Sequence, residues 1–257
     1  MTVPVVLCLS GHDPTGGAGL QADIETVTRF GCHPCTVPTC LTAQDTRDVQ
    51  RVLPQAAAEF REQIALVLSD LSIAAIKIGL LGSLEIARAV AEILDGAGGL
   101  PVVLDPVLAA GGGRSLADRA LAEEIGRRLV PRALVVTPNH PEARALAGMA
   151  DAEAGARELR ARGCPHVLLT GTHGDEGSPE VVNRWYRAEG VEVYRWPRLP
   201  GSYHGSGCTL AAALAAGLAR GWEMETAIRT AQRFTFEALE RAWRPGRGQW
   251  LPNRRAP

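Results

Sequence analysis

The sequence predicts an α/β fold in which a mostly parallel sheet lies between helical layers. Short apolar runs alternate with helical patterns along most of the 257 residues, which is typical of βαβ units. Several of these runs end in glycine-rich or polar loops, where α/β sheets bind their ligands. No repeat or linker divides the sequence. We therefore expect one domain over residues 1–243 and a flexible, Arg/Pro/Gly-rich tail over residues 244–257.

The first half of the chain contains four predicted strands. Each is a short apolar run, and the helices between them show apolar residues at helical spacing. Ser83 is the expected N-cap of the third helix. The predicted strands are residues 3–10, 36–41, 74–78 and 102–104, and the first two helices are residues 20–30 and 54–70.

The second half continues this alternation and adds an antiparallel hairpin, because two alternating runs flank a short turn at residues 188–190. The hairpin strands are residues 181–186 and 191–196. The other predicted strands are residues 134–137 and 166–169, with a polar loop at 170–177. The predicted helices are residues 116–129, 152–162 and 224–241, one after Pro141 and one starting near Gly207.

Composition excludes several classes of protein. The net charge of −1 gives no sign of a nucleic-acid or membrane partner, and no apolar run reaches the length of a membrane span. The N-terminus lacks the basic start of a signal peptide, so a cytoplasmic location is expected. The six cysteines form no disulfide framework at this chain length. Cys32 and Cys35 have no second ligand pair, which favours plain thiols over a zinc site.

The segment over residues 201–221, GSYHGSGCTLAAALAAGLARG, is the strongest candidate for a functional site. Gly205 and Gly207 let the backbone approach a ligand, with Ser206 between them. A helix starting there directs unpaired N–H groups and its positive dipole end at the loop, which favours an anion or phosphate. Cys208 falls at this helix start, where the pKa of a thiol is typically lowered.

Polar side chains follow two other predicted strands. Asp105 ends one strand and is either a metal or phosphate-site carboxylate or a turn-forming Asp-Pro. Asn139 and Glu142 follow the next strand and could hold a hydrated Mg²⁺, although the same residues also cap helices.

The first loop, residues 11–19, is rich in glycine but is not a P-loop, because that motif requires a lysine and the only lysine is Lys77. Its glycines are also misplaced for a dinucleotide fingerprint. This excludes an NAD enzyme on a Rossmann sheet and indicates a small-molecule pocket.

Six of these segments together resemble one family. The chain is similar to the hydroxymethylpyrimidine/phosphomethylpyrimidine kinases of thiamine biosynthesis, in the ribokinase superfamily, in the order and spacing of the motifs over nearly its whole length. The matching pieces are SGHDPTGGAGLQAD (residues 10–23), LTAQDT (41–46), KIGLLG (77–82), VLDPV (103–107), VTPNHPEA (136–143) and HGSGCTLAAALAAGLA (204–219).

The resemblance implies a three-layer, ribokinase-like α/β sandwich. It also implies transfer of the γ-phosphate of ATP, with Mg²⁺, to the hydroxymethyl group of 4-amino-5-hydroxymethyl-2-methylpyrimidine. A second transfer, onto the monophosphate, would follow. The resemblance further implies a homodimer. The implied roles are pyrimidine hydrogen bonds from Asp23 and Gln44, ring walls from Gly11, Ala18, Leu80 and Val107, metal binding by Asp105 and Glu142, ATP binding by Asn139, Thr170 and Ser206, anion-hole N–H groups from Gly205 and Gly207, and Cys208 as the base.

The chain departs from the family pattern at the nucleotide. A lysine is expected where Thr170 stands, and an aspartate where Asn183 stands. Two other functions remain open. The first is a pyridoxine, pyridoxal or pyridoxamine kinase, because these substrates are also six-membered aromatic rings with a hydroxymethyl group. The second is a non-catalytic pyrimidine sensor. The missing lysine favours the sensor, whereas Cys208 opposes it.

Overall fold

The computed structural model describes residues 3–96, 98–172 and 177–255 and has a central sheet in which helices cover both faces. In spatial order the strands are β3-β2-β1-β4-β5-β6-β7-β8-β9, parallel from β2 to β7 and antiparallel at both ends. The strands are β1 (Val5–His12), β2 (His33–Gln44), β3 (Val49–Pro54), β4 (Ile73–Ile78), β5 (Val102–Leu104), β6 (Val135–Val136), β7 (His166–Leu169), β8 (Glu180–Arg187) and β9 (Gly190–Pro197).

Two apolar clusters give the domain three layers. On one face the sheet packs against α2 to α6, and on the other against α1, α7 and α8. The helices are α1 (Gly19–Arg29), α2 (Ala57–Asp70), α3 (Leu84–Gly96), α4 (Arg119–Glu124), α5 (His140–Ala147), α6 (Ala152–Ala161), α7 (Ser206–Ala219) and α8 (Met224–Glu240). The predicted α/β class with a mostly parallel sheet is confirmed.

Most predicted elements are present. The hairpin is β8 with β9, and Ser83 Oγ accepts a hydrogen bond from Ile86 N at 3.2 Å at the start of α3. Strand β3 was not predicted, because its residues are mostly polar or exposed at the sheet edge. The predicted helix at 116–129 begins instead at Arg119, after the N-cap Asp118, and continues through a π-turn at Ile125–Leu129.

The parallel strands bring the candidate site together because their carboxyl ends meet at one edge of the sheet. Backbone hydrogen bonds continue past the strands and set the loops side by side. Asp105 N donates to Ile78 O at 2.8 Å, Thr137 N to Leu104 O at 3.0 Å, and Thr170 N to Pro138 O at 2.8 Å.

The C-terminal segment corrects one prediction. We expected a flexible tail from residue 244, but residues 244–255 lie on the domain. Trp243 and Leu251 form a β-bridge, and Trp250 N donates to Ser202 O at 2.9 Å. Leu251 is buried, and Arg254 is only 2% exposed. The polar composition suggested fraying, but these residues are held by contacts with distant loops. Residues 256–257 and 173–176, the latter in the predicted polar loop, lie outside the described parts.

Among the described residues, no helix is both long and apolar enough to cross a bilayer.

Candidate active site

A cavity of about 1450 Å³ follows the carboxyl edge of the sheet. The strand order arranges its lining residues in a line from the end of β2 to the start of β8. Of the predicted site residues, only Asp23 is not part of this lining. The others are Gly11, Ala18, Gln44, Leu80, Val107, Asp105, Asn139, Glu142, Thr170, Gly205, Ser206, Gly207 and Cys208.

The end of the cavity near β1 and β2 combines apolar walls with a buried, unpaired amide. Gly11 is tightly enclosed, because a Cβ there would lie 2.9 Å from Cys40 Sγ and 3.1 Å from Leu80 Cδ2. Leu80 and Val107 contribute apolar walls. Gln44 Nε2 is buried and has no hydrogen-bond partner. A buried donor without a partner is costly, so a ligand acceptor at this position would stabilise the site.

Asp23 lies behind this end of the cavity. Its side chain is fully buried, and Lys77 Nζ lies 2.8 Å from Oδ1 and 3.0 Å from Oδ2. Lys77 Nζ also donates to the hydroxyl of Ser10 at 3.0 Å, and Ser10 lines the cavity. This corrects the prediction that Asp23 binds the pyrimidine directly, because its carboxylate is committed to the only lysine. Burial opposes the charge of Lys77, but Asp23 beside it raises the pKa of the ammonium overall.

The start of α7 forms the middle of the cavity. Gly205 has φ +87°, and a Cβ on it would lie 1.9 Å from Gly17 O, so both the backbone conformation and the available space require glycine. The helix is anchored by the fully buried stretch Ala211–Ala216 in the apolar layer. Its first N–H groups therefore point from a fixed position into the cavity, as an anion site requires.

Cys208 has the predicted position but not the predicted ionisation. Burial, the largest effect, and the charges of Asp105 and Asp23 raise the pKa of the thiol to about 12, against the opposite effect of Lys77. The helix start was expected to lower this pKa, and here desolvation outweighs the dipole. The side chain is still half-buried rather than fully enclosed. The raised pKa favours the neutral thiol in the ligand-free protein.

Asp105 and Glu142 bring negative charge close to the helix start. Burial, offset in part by Lys77, raises the pKa of Asp105 to about 6. Burial first, and then the charge of Asp105, raises the pKa of Glu142 to about 8. A Cβ on Gly207 would lie 3.6 and 3.7 Å from the two Asp105 oxygens, so this carboxylate faces the anion site. A phosphate beside these two buried carboxyl groups would be repelled unless bound protons or a cation offset the negative charge.

The donors present fit Mg²⁺ only in part. Asp105 Oδ2 is buried and has no hydrogen-bond partner, so it is available as a ligand. Glu142 is occupied: its Oε2 accepts from Asn139 N at 2.8 Å while Asn139 Oδ1 accepts from Glu142 N at 3.0 Å, a capping box on α5. No group of three or more His, Cys, Asp or Glu side chains forms a metal site in the described ranges. One carboxylate plus waters and substrate phosphates is a usual Mg²⁺ site.

The far end of the cavity contains a chain of side-chain amides. Gly171 N donates to Asn183 Oδ1 at 2.9 Å, and Asn183 Nδ2 donates to Gln232 Oε1 at 2.9 Å. The indole N–H of Trp196 donates to the same Gln232 oxygen at 3.2 Å. The backbone N–H and the indole N–H can only donate, so they determine the orientation of both amides. Asn183 stands where an aspartate was expected, and its amide both accepts from Gly171 N and donates to Gln232 Oε1 in this hydrogen-bond network. Thr170 beside it lines the cavity and forms a β-bridge with Asn139.

The sequence interpretation assigned no role to Asp13 and His204, although both lie in matching motifs. Asp13 accepts hydrogen bonds from Thr15 N and Ala18 N, each at 2.8 Å, which folds the first loop around its carboxylate. His204 Nε2 lies 2.9 Å from Asp13 Oδ2 and links this loop to the start of α7. The Asp-Pro-Thr-Gly sequence is a signal for such an Asx turn.

Comparisons with known proteins identify the family of this chain. A family model described as phosphomethylpyrimidine kinase matches residues 13–253. The hydroxymethylpyrimidine/phosphomethylpyrimidine kinase of Synechococcus elongatus is 37% identical over 255 residues, which cover 97% of this chain and 96% of that protein.

Two solved structures extend the comparison. The pyridoxal kinase of Bacillus subtilis, solved as an ADP complex, aligns with a TM-score of 0.91 at 28% identity over 98% of each chain. The phosphomethylpyrimidine kinase of Clostridium difficile 630 aligns with a TM-score of 0.79 at 30% identity, over 93% of this chain and 100% of that one. The predicted ribokinase-like fold is confirmed.

Proposed function

Because this chain belongs to the phosphomethylpyrimidine kinase family, we propose that it phosphorylates 4-amino-5-hydroxymethyl-2-methylpyrimidine with ATP for thiamine biosynthesis. A second transfer, onto the monophosphate, gives the diphosphate. One observation carries the proposal beyond the family. A single cavity is lined both by Gln44, where we propose that the pyrimidine ring binds, and by the start of α7, where we propose that the transferred phosphate binds.

At the ring end, Gln44 donates to a ring nitrogen, since its Nε2 has no partner within the protein. Gly11, Ala18, Leu80 and Val107 enclose the ring faces. Asp23 acts from behind, through Lys77 and Ser10, and does not contact the ring.

At the phosphoryl end, the N–H groups of Gly205 and Gly207 bind the oxygens of the transferred group, as phosphoryl transfer requires preorganised donors. Asn139, Thr170 and Ser206 line the same cavity, and their assigned role is to bind the ATP phosphates. Mg²⁺, held by Asp105 with Glu142 outside its ligands, would neutralise charge on the phosphates.

Cys208 contacts the reacting hydroxyl and accepts its proton. The thiol must first release its own proton to water in the cavity, and burial together with the charges of Asp105 and Asp23 opposes this release in the ligand-free protein. Neutralising Asp105 removes one of those charges. We therefore propose that the thiolate forms only in the loaded site, where it is protected from side reactions.

The decisive experiment is an ADP-release assay with Mg-ATP against the hydroxymethylpyrimidine, its monophosphate and pyridoxal. Turnover of both pyrimidines supports the proposal. Turnover of pyridoxal alone would establish the second candidate, which the TM-score of 0.91 to a pyridoxal kinase favours. Binding of the pyrimidine without ADP release would indicate a sensor.

The role of Cys208 is tested by Cys208→Ala. We expect kcat to fall by about 100-fold or more with little change in KM, because a general base acts on the transition state. Cys164→Ala is the matched control, since Cys164 is a buried thiol outside the cavity lining. Near-normal kcat in Cys208→Ala would exclude Cys208 as the base.

A further inference from the structure

The C-terminal segment, residues 243–255, crosses three loops of the cavity. Gln249 N donates to Thr46 O at 2.7 Å, next to the loop that carries Gln44. His204 N donates to Trp250 O at 2.9 Å, in the loop before α7. Leu251 packs near the first loop, because a Cβ on Gly17 would lie 2.6 Å from Leu251 Cδ2. The last part of the chain therefore fixes loops that are distant in sequence.

Arg254 makes the deepest of these contacts. It is 2% exposed, and all three guanidinium nitrogens donate within the protein. Nε donates to Thr209 Oγ1 at 2.8 Å, and Nη2 donates to Gly17 O. Nη1 lies 3.3 Å from Glu25 Oε2 and 3.5 Å from Gly16 O. Burial of a charge at this depth is stable only with such a full set of partners.

Gly16 and Gly17 lie in the first loop, and Thr209 lies in the first turn of α7, so Arg254 joins the two segments that meet around the proposed reacting groups. Thr209 Oγ1 in turn donates to Gly205 O at 2.7 Å, so Arg254 reaches the anion-site glycine through one hydroxyl. On the other side, Gly17 O is the atom against which Gly205 packs without room for a Cβ. The guanidinium thus holds both sides of the contact between the first loop and the start of α7.

We propose that Arg254 is a positioning residue for phosphoryl transfer, which sets the anion site at Gly205 in register with the first loop of the pyrimidine end. Its planar guanidinium bonds the Gly17 carbonyl in the first loop and the Thr209 hydroxyl in α7 at the same time, which the single ammonium of a lysine does less well. Arg254 lies outside the cavity lining and does not contact the substrate. The inference rests on the proposed function.

The test compares Arg254→Gln with Arg255→Gln. Arg255 is the matched control, because it is exposed and pairs with the same Glu25, at 2.9 Å from Oε1, but does not reach either loop. We expect kcat of Arg254→Gln to fall by about 100-fold, because a shift of about 1 Å in the anion-site backbone relative to the first loop is enough for such a loss. KM for the pyrimidine is expected to stay within about threefold. Arg255→Gln is expected to retain kcat. Guanidinium ion at millimolar concentration is expected to restore part of the kcat of Arg254→Ala, which a loss of folding alone would not permit.

Amide hydrogen exchange on the same variants gives a readout that is independent of activity. We expect faster exchange at residues 15–19 and 203–208 in Arg254→Gln, and no change there in Arg255→Gln. Normal kcat per folded molecule in Arg254→Gln, or unchanged exchange in both loops, would overturn the inference. A wild-type protein without turnover would instead overturn the proposed function, while the exchange result would still decide whether Arg254 positions the loops.

Discussion

Two buried pairs of charged groups at the candidate site differ in their charge balance. Behind the ring end, Lys77 and Asp23 have opposite charges at 2.8 Å and are fully buried. At the phosphate end, Asp105 and Glu142 have like charges, and the pKa of each carboxyl group is raised, to about 6 and about 8. Lys77 and Asp23 neutralise each other's charge without a ligand, whereas Asp105 and Glu142 have no such counter-charge between them.

This difference indicates which part of the cavity is already formed before a ligand binds. The Lys77–Asp23 pair stabilises Ser10 and the cavity wall in the free protein. The Asp105–Glu142 pair favours bound protons or a cation, so we expect its charge state to change if Mg-ATP binds there as proposed. The cavity wall beside Lys77 is therefore formed in the free protein, whereas we expect a ligand to balance the charge at Asp105 and Glu142.

The largest expected effect comes from breaking the Lys77–Asp23 pair. Lys77→Met leaves Asp23 buried without its counter-ion, and we expect the free energy of unfolding to fall by about 3–5 kcal/mol. Urea unfolding of the ligand-free protein measures this. The double variant Lys77→Met/Asp23→Leu is expected to recover most of the loss, because both charges are then absent. A single variant as stable as wild type would show that the pair contributes nothing.

Removing charge from the Asp105–Glu142 pair should affect activity instead. We expect Asp105→Asn to lower kcat/KM by about 100-fold while the fold is retained, because the proposed carboxylate ligand of Mg²⁺ is lost and the ion would neutralise the phosphates less well. Asp118→Asn is the control: Asp118 also lines the cavity, but it caps α4, and asparagine caps equally well. Equal activity of the two variants would contradict a role for Asp105 in the reaction.

The smallest expected effect is on the pH dependence of stability. The pKa values of Asp105 and Glu142 are raised above their usual values of 3.8 and 4.5, so the folded state binds protons more tightly than the unfolded state. Stability of the ligand-free protein should therefore rise as the pH falls from about 9 to about 6. We expect Tm to increase by about 2–6 °C over this range.

Glu142→Gln tests the source of that slope. Glutamine can retain the capping box of α5 but cannot titrate, so the rise between pH 9 and pH 7 should be much smaller than in wild type. A slope unchanged by the substitution would assign the titration to other groups.

The sequence predicted the parts of the molecule that depend on local pattern. Strands β5 and β7 have the predicted bounds, and Ser83 caps its helix as expected. Motif order placed nearly every predicted site residue around one cavity, because parallel strands bring their carboxyl ends to one edge.

The predictions for Cys208 and Asp23 were wrong because contacts with residues distant in the sequence determine the environment of each side chain. Cys208 lies at a helix start, which favours a thiolate, but burial beside two carboxylates raises its pKa. Asp23 has the residue type of a ring ligand, yet Lys77, 54 positions further along the chain, occupies its carboxylate. Neither burial nor such a partner can be deduced from local spacing.

By itself the sequence determined the fold class, the family and the set of loops that form the site, since hydrophobic period and motif spacing are local properties. Only the tertiary structure decided how charge is distributed among those loops and that the C-terminal segment holds them. Arg254 shows the reason: its burial depends on Gly17, Glu25 and Thr209, which approach it only after the sheet and both helical layers have assembled.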